Sequence, residues 1–395
     1  MGMGSGARPG LPTVLVTLAV AVLVGCGETL SPAAPPADPA GPADSVSAEL
    51  AAAVPSGISD LTNAPASVPG AASPTPRPTP TPPTSTPSGT PAPTPRPTPA
   101  PATTPPPPPA PIVGAYRVTA YKIRTIPHDE LPYVETVLPS KTVPRHHDAD
   151  GVPMKLVGTT LYYSPAGNLQ YALRMEDAYR RTNDPDYLAI ADKVLARLMQ
   201  IGTRSHGGVY LPYEYDFAMH RIATEVMDAP WYSAMAQGLG LSLAVRLYRD
   251  TGDERYLEDA RLLFASFQHL GRGKDPWVTY VDGGDYLWLE EYPERTNPSD
   301  HTANGFNFAV FGLYDFYEET HDAAALKVLR ASLTTMRHFI ADYRIPGSYS
   351  KYCLRHGKPQ AKYHKIVTWQ LGFLYRISGD RWFRTMQQAF ARDYH

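Results

Sequence analysis

The feature that most constrains this fold is a helix–turn–helix signal that recurs four times between residues 165 and 395. In each copy two apolar helical stretches flank a tight Thr/Ser-X-Asp turn, and the turns end at Asp184, Asp253, Asp322 and Asp380. These aspartates are 69, 69 and 58 residues apart. An aspartate that precedes a helix accepts hydrogen bonds from the free amides of its first turn. Hairpins at this near-equal period predict a helical repeat architecture.

The apolar residues of these stretches recur at i, i+3, i+4 and i+7, which predicts α-helices. The predicted helices are 165–181, 185–201, 235–249, 254–270, 303–320, 323–343, 362–377 and 381–394. We therefore expect an all-α fold, an incomplete (α/α) toroid of about four helical hairpins. A two-layer superhelical solenoid of the same hairpins is the alternative that the sequence leaves open.

The residues before the hairpins divide into three segments. Residues 1–26 carry an apolar run that is too short to span a bilayer and ends in LVGC, which resembles a lipoprotein-type signal peptide with Cys26 as the lipidated residue. The alternative is an ordinary signal peptide. Residues 27–112 hold more than half of the chain's 43 prolines and predict a disordered Pro/Thr/Ala-rich linker. Residues 113–164 are a lead-in with a short β segment, so 165–395 is the expected catalytic domain.

These segments give an expected location on the cell membrane, lipid-anchored on its extracytoplasmic face. The formal net charge is only −2, so a charged partner has to be recognised by local charge patterning. The sequence has no nucleotide fingerprint, phosphate-binding glycine loop or zinc-ligand spacing. We therefore expect no nucleic-acid partner, no cofactor and no metal.

Three long connections join the hairpins, at 202–234, 271–302 and 344–361. In a ring of hairpins the tight turns lie at one end, so the long connections should meet at the other. They are rich in tyrosine, and loops of this length are usually functional or disordered. Their tyrosines are Tyr210, Tyr213, Tyr215, Tyr280, Tyr286, Tyr292, Tyr349 and Tyr352, with Tyr363 just beyond.

Charge is divided between these connections. No acidic residue occurs between Asp342 and Asp380, whereas the second connection is rich in Asp and Glu. One loop can thus bind an anion while the other supplies carboxylates, or the two loops can simply attract each other. The second connection also contains Glu290, Glu291 and Tyr292 in one short turn closed by Pro293. This turn offers an acid, a base and a phenol for proton transfer, unless its carboxylates are only solvated.

Several motifs in this region resemble one family. They are WYSAMAQG at 231–238, WLEEYP at 288–293, NGF and GLYDFYEET within 304–320, and YCLRHG with KYH within 352–364. Together they resemble the C-terminal catalytic domain of D-glucuronyl C5-epimerase, from about Asn168 onward. The resemblance implies an α/α toroid that inverts C5 of D-glucuronate in a heparosan-like acidic polysaccharide without a redox cofactor. The family's β-rich region upstream is missing here or reduced to 112–153, which leaves a homodimer and part of the groove open.

The resemblance also implies the site residues. The catalytic residues would be Tyr292, Tyr352, Tyr363 and Glu291, and Arg355 would bind the substrate carboxylate. The predicted substrate-binding set further contains Glu290, His364, Asn304, Tyr286 and Gln237.

Inversion at C5 needs a proton removed from one face of the sugar and one returned to the other. We expect Glu291 or Tyr292 on one face and Tyr352 or Tyr363 on the other. A phenol that acts as a base needs a pKa lowered by a nearby cation such as Arg355 or Lys362. The alternatives are a polysaccharide lyase, a glycoside hydrolase on an α/α toroid, and a non-catalytic lipid-anchored module that binds acidic glycan.

Overall fold

The computed structural model describes residues 112–113, 115–134, 137–142, 144–294 and 299–393. These form eight α-helices: α1 (Pro165–Thr182), α2 (Pro185–Ile201), α3 (Ala234–Thr251), α4 (Glu254–Gln268), α5 (Ala303–Thr320), α6 (Ala323–Tyr343), α7 (Ala361–Ser378) and α8 (Arg381–Asp393). Their bounds lie within two residues of those predicted. The predicted signal peptide, Cys26 and almost all of the linker lie outside the described residues.

The four tight turns are capped by the aspartates that the repeat singled out. Asp184 accepts from the amide of Asp186 at 3.1 Å, and Asp253 accepts from that of Arg255 at 3.0 Å. In the third turn Asp322 accepts from Ala325 N at 2.8 Å. Asp380 likewise accepts from Trp382 N at 2.9 Å. Each cap satisfies an amide that the helix leaves without a partner, so the repeat predicted from sequence is confirmed.

The helices form two layers. The first helices of the hairpins, α1, α3, α5 and α7, pack side by side in that order. The second helices, α2, α4, α6 and α8, each pack outside the first helix of their own hairpin. The middle members of the inner layer, α3 and α5, are buried on nearly all sides over their first 14 residues. The incomplete (α/α) toroid expected from the repeat is confirmed.

The inner helices α3 and α5 approach each other closely at a pair of glycines. A Cβ atom at Gly312 would lie 2.1 Å from the carbonyl oxygen of Gly238, which is well inside van der Waals contact. A Cβ at Gly238 would in turn lie 2.4 Å from Ala309 Cα. The two backbones can touch only because both side chains are missing.

A buried ion group joins three inner helices. Arg246 of α3 is fully buried, and its Nε lies 3.2 Å from Asp315 Oδ2 on α5. Its Nη1 lies 3.8 Å from Glu176 Oε2 on α1. Burial raises the pKa of Glu176 more than the nearby guanidinium lowers it. This group belongs to the core, where removal of one partner leaves an uncompensated buried charge.

Short antiparallel strand pairs complete the described structure. They are β1 (Ile112–Val113) with β2 (Tyr116–Arg117), β3 (Lys155–Val157) with β4 (Thr160–Tyr162), β5 (Thr203–Ser205) with β6 (Gly208–Tyr210), β7 (Phe217–Ala218) with β8 (Val226–Met227), and β9 (Thr279–Val281) with β10 (Leu287–Leu289). The first two pairs fall in the predicted lead-in, and the other three lie in the long connections. Among the described residues, no helix is both long and apolar enough to cross a bilayer.

Candidate active site

The three long connections meet at one end of the helical layers, as the hairpin geometry predicts. The amide of Ala234, where the first connection ends, donates to the carbonyl oxygen of Glu290 in the second at 2.8 Å. Arg355 of the third connection pairs with Glu225 of the first at 2.8 Å. It also pairs with Glu294 of the second at 2.5 Å. The connections therefore form one continuous surface above the ends of the inner helices.

Four of the predicted catalytic side chains come together here, and we call them the acid–phenol cluster: Glu291, Tyr292, Tyr352 and Tyr363. The hydroxyls of Tyr292 and Tyr352 are 3.1 Å apart, and the Tyr352 hydroxyl lies 3.5 Å from Glu291 Oε1. The rings of Tyr352 and Tyr363 pack with their centroids 4.3 Å apart. All four side chains are at most 8% exposed.

Local structure explains why these side chains converge. The pairing of β10 with β9 fixes the direction of the Glu-Glu-Tyr turn that follows Leu289. An antiparallel bridge between Thr302 and Cys353 places the third connection beside the second, so Tyr352 reaches Tyr292. Tyr363 lies in the first turn of α7, and its ring packs on that of Tyr352.

Glu291 is held by the start of α5. Its Oε2 accepts from Thr302 Oγ1 at 2.8 Å and from Asn304 Nδ2 at 3.4 Å. The carboxylate also lies against Gly305, where a Cβ would sit 2.3 Å from Oε2. Asn304, predicted to bind substrate, thus contacts the candidate base directly.

The pKa values of the cluster point to a division of roles. Burial raises the pKa of Glu291 to about 7, partly offset by the hydrogen bonds from Thr302 and Tyr292. Burial, and then the charge of Glu291, raise the pKa of Tyr292 and Tyr352 well above the ordinary value for a phenol. The expectation that a cation lowers the pKa of a phenol is therefore wrong for these two. The carboxylate is suited to act as base at neutral pH, and these phenols stay protonated.

The spacing bears on one expected arrangement, Tyr292 and Tyr352 on opposite faces of the sugar. A hydroxyl pair 3.1 Å apart leaves no room for a pyranose ring between Tyr292 and Tyr352. Glu291 contacts Tyr352 as well. Glu291, Tyr292 and Tyr352 therefore form one contiguous group, and a role for Tyr363 on the opposite face of a sugar stays a prediction.

The structure places Arg355 in ion pairs within the protein, whereas the resemblance implied that it binds the substrate carboxylate. Its guanidinium lies between the carboxylates of Glu225 and Glu294, and the side chains of all three are less than one fifth exposed. The oppositely charged connections therefore do attract each other, through the ion pairs of Arg355. Binding of a substrate carboxylate there would require at least one of these ion pairs to open.

The remaining predicted binding residues make contacts within the fold. Gln237 bonds to Leu211 N, Val209 O and Ser266 Oγ, and His364 bonds to Ser350 N and Phe390 O. Glu290 Oε1 lies 2.8 Å from His301 Nδ1, and the Tyr286 ring stacks on His338 with centroids 4.4 Å apart. That these four residues bind the substrate stays a prediction.

An aromatic pocket opens beside the acid–phenol cluster. Its lining contains Glu291, Tyr292 and the tyrosines Tyr213 and Tyr215 of the first connection, together with Ala166, Phe217, Trp231, Ser233 and Met235. Its cavity volume is about 10 Å³, room for about one water molecule, so a sugar ring can enter only when the side chains that line it move apart. Trp231 stacks on Tyr213 with centroids 3.8 Å apart and packs against Tyr292 at 6.0 Å.

Cations lie next to this pocket in a larger groove along the start of α1, which we call the basic groove. The basic groove has a cavity volume of about 320 Å³ and is partly open to solvent, and its lining includes Arg145, Lys155 and Arg174. The Lys155 ammonium lies 5.2 Å from the centroid of the Tyr215 ring, so the groove and the aromatic pocket adjoin. Lys155 was missed from sequence because it belongs to the lead-in, where no motif marked it.

A second polar cluster lies behind the tyrosines. It consists of His220, Asp300, Cys353 and His356, whose donor atoms all lie within 4.8 Å of one another. The His220 ring packs against the Tyr352 ring with centroids 5.4 Å apart. Among the described residues, these four side chains could together hold a metal ion. In the sequence they are separated by up to 136 positions, so no local spacing marked them as a group.

A known protein family matches the part of the chain that contains the acid–phenol cluster. Residues 208–392 match the family described as D-glucuronyl C5-epimerase C-terminus. A D-glucuronyl C5-epimerase of Caenorhabditis elegans is 34% identical over 115 residues, which cover 28% of this chain and 16% of that protein. An uncharacterized protein of Methanocaldococcus jannaschii is 27% identical over 169 residues, which cover 42% of this chain and 52% of that protein. The chain thus spans about half or less of the curated relatives it matches.

Among solved structures, the cellobiose 2-epimerase of Spirochaeta thermophila is similar to this chain with a TM-score of 0.43 and 16% identity. The superposition covers 58% of each chain.

Proposed function

Because residues 208–392 belong to the family of D-glucuronyl C5-epimerase C-terminal domains, we propose that this protein inverts C5 of D-glucuronate units in an acidic, heparosan-like polysaccharide. The observation that supports it most is the buried Glu291 carboxyl, with a pKa of about 7, in contact with two protonated phenols at the edge of an aromatic pocket. Such a group can take a proton from carbon at neutral pH without a redox cofactor.

The proposed reaction begins at the face of the sugar that meets Glu291. The carboxylate takes the C5 proton, and the electron pair left on C5 delocalises into the adjacent carboxyl group as an enolate-like anion. The Tyr292 and Tyr352 hydroxyls, which are hydrogen-bonded to each other and near Glu291, donate to the developing charge and pass the proton onward. Their raised pKa values mean that each phenol takes up a proton as it gives one away, so both are protonated at the start and at the end of turnover.

The opposite face needs a proton donor from the other side of the pocket. Tyr213 and Tyr215 line the same pocket as Glu291 and Tyr292. We assign the return of a proton to one of these two phenols, which is then re-protonated from solvent. The proton count balances, because one proton leaves C5 on one face and one arrives on the other.

The substrate carboxylate needs a cation, and Lys155 supplies it in this proposal. Its ammonium lies at the junction of the basic groove and the aromatic pocket. The groove continues past Arg145 and Arg174, so neighbouring acidic units of a polymer can lie along it. Phenol and indole faces in the pocket suit the C–H face of a sugar ring.

The test is incubation of the purified protein with glucuronate-containing polysaccharide, followed by proton NMR and ultraviolet absorbance. The proposal predicts L-iduronate signals with no change in chain length. An unsaturated product that absorbs in the ultraviolet would instead identify a polysaccharide lyase, which begins with the same proton removal. New reducing ends would identify a glycoside hydrolase, and tight binding without any reaction would identify a glycan-binding module.

Attachment to a membrane through Cys26 and association into a homodimer remain proposals that come from the sequence. The first is tested by metabolic labelling with a fatty acid analogue, which a Cys26→Ser variant should not incorporate. The second is tested by the molar mass of the purified protein in solution.

A further inference from the structure

The four side chains behind the acid–phenol cluster all carry groups that can bind a metal ion. His220 Nε2 lies 2.7 Å from Asp300 Oδ2, and His356 Nδ1 lies 2.9 Å from Asp300 Oδ1. Cys353 Sγ lies 3.3 Å from His356 Nδ1 and 3.9 Å from His220 Nε2. We propose that His220, Asp300, Cys353 and His356 bind one divalent transition-metal ion of the zinc class.

The distances fit a tetrahedron. Zinc binds histidine nitrogen at about 2.0–2.1 Å and cysteine sulfur at about 2.3 Å, so neighbouring ligand atoms in a tetrahedral site are roughly 3.3–3.7 Å apart. The hydrogen-bonded pairs are 2.7–3.9 Å apart, and all four donor atoms lie within 4.8 Å of one another, so the separations fall on both sides of that range. Small rotations of all four side chains would be needed to bring their donor atoms to bonding distance of one ion.

The donor set also fits the charge and softness of zinc. Two imidazoles, one thiolate and one carboxylate suit Zn²⁺, whereas Mg²⁺ and Ca²⁺ prefer oxygen ligands alone. A thiolate and a carboxylate carry two negative charges, so a divalent ion would make the site neutral. Asp300 is fully buried and Cys353 is 1% exposed, and neutrality matters most for such groups.

Groups around the four ligands are arranged as outer-shell partners. His356 Nε2 lies 2.9 Å from Glu225 Oε2, which leaves Nδ1 as the atom that faces Asp300 and Cys353. Glu225 is itself paired with Arg355. A carboxylate on the far nitrogen of a ligating histidine fixes its tautomer and orientation in many metal sites. Arg355 thereby gains a structural role that does not involve substrate.

The backbone brings the ligands together from three separate connections. His220 adopts φ 51° and ψ 19°, an uncommon conformation for a residue other than glycine, within the short turn at Met219–Arg221. The bridge between Thr302 and Cys353 sets Asp300 opposite Cys353 and His356. A metal ion bound here would join all three long connections directly behind the tyrosines, and all four of its positions would be filled by protein, as in structural zinc sites.

The experiment measures metal binding directly and does not depend on catalysis. The purified full chain is stripped with a strong chelator, reconstituted with Zn²⁺ and analysed for metal content, and its unfolding midpoint is followed with and without the ion. The result expected is one zinc per chain and a higher midpoint with zinc. Reconstitution with Co²⁺ should add a thiolate-to-cobalt charge-transfer band, which Cys353→Ser should abolish.

Two further variants sharpen the test. Glu225→Gln should weaken zinc binding by about 10–100-fold through loss of the outer-shell partner. His338→Gln, a histidine that stacks on Tyr286 on helix α6, is the matched control and should bind zinc as the wild-type chain does.

Wild-type protein that takes up no stoichiometric zinc or cobalt would overturn the proposal, as would equal binding by Cys353→Ser and the control. If Cys353→Ser does not fold, the cobalt band of the wild-type chain still tests the proposal. The band requires a cysteine thiolate, and the sequence has only one other cysteine, Cys26. Metal binding and C5 inversion are read out separately, so either proposal can fail while the other stands.

Discussion

The hydroxyls of Tyr292 and Tyr352 lie 3.1 Å apart, although the residues are 60 positions apart in the chain and belong to different interhelical connections. This contact makes the two phenols and Glu291 a single hydrogen-bonded group on one side of a pocket. It also determines how a sugar can be oriented, because the partner for the other face has to come from elsewhere in the pocket.

Replacement of Tyr292 or Tyr352 by Phe should lower kcat by roughly 100-fold or more, since each change removes a hydroxyl that transfers or stabilises a proton. The variants are compared by the rate of C5 inversion. Tyr314→Phe is the control, because it also removes a buried hydroxyl, one that contacts the lead-in segment far from the cluster. Equal rates for all three variants would show that the roles are assigned wrongly.

Glu291→Gln should abolish C5 inversion and make the unfolding free energy less dependent on pH. The carboxyl pKa rises from 4.5 to about 7 in the fold, so the folded chain binds this proton more tightly than the unfolded chain. The contribution to stability is full below about pH 4.5 and is lost as the pH rises through 7, by up to about 3 kcal/mol. Chemical denaturation at pH 5 and pH 8 should show that loss in the wild-type chain and a smaller one in the variant. An identical pH dependence in both would mean that Glu291 titrates normally.

Lys155→Gln should lower kcat/KM for the polysaccharide by about 10–100-fold, the equivalent of a charge-assisted hydrogen bond. Lys141→Gln, which removes a lysine paired with Asp184 and Asp186 at the opposite, tight-turn end, serves as control. The measurement is the initial rate at several substrate concentrations and at low and moderate salt. A kcat/KM for Lys155→Gln that equals the control's would remove Lys155 from the substrate carboxylate.

Gly312→Ala should destabilise the fold by about 2 kcal/mol or more, because the new Cβ would lie 2.1 Å from the carbonyl oxygen of Gly238 and the two inner helices would have to separate. Gly283→Ala is the matched control, since a Cβ there meets no atom within 4 Å. Urea denaturation of both variants checks the difference. Similar midpoints would mean that the helices move apart at little cost.

The sequence predicted those features of the fold that depend on local pattern. Helix bounds follow from apolar periodicity and from caps such as Asp322, and both depend on residues only a few positions apart. The convergence of Tyr292, Tyr352 and Tyr363 followed from topology and from the family resemblance.

What could not be predicted depends on contacts between distant side chains. The ion pairs of Arg355 with Glu225 and Glu294 span 130 and 61 positions, and periodicity carries no information about them. The rise in the pKa of Tyr292 has the same origin, because burial is a property of the assembled fold. The role proposed for Lys155 depends on where the lead-in packs, and no sequence motif predicts that position.

The most direct test of the central claim is exchange at C5 in D₂O, with glucuronate polysaccharide as substrate and deuterium at C5 measured by NMR and mass spectrometry. The account predicts that the wild-type chain introduces deuterium at C5 of L-iduronate units and that Glu291→Gln introduces none. Polysaccharide that binds to the wild-type chain and yet keeps protium at every C5 would contradict it.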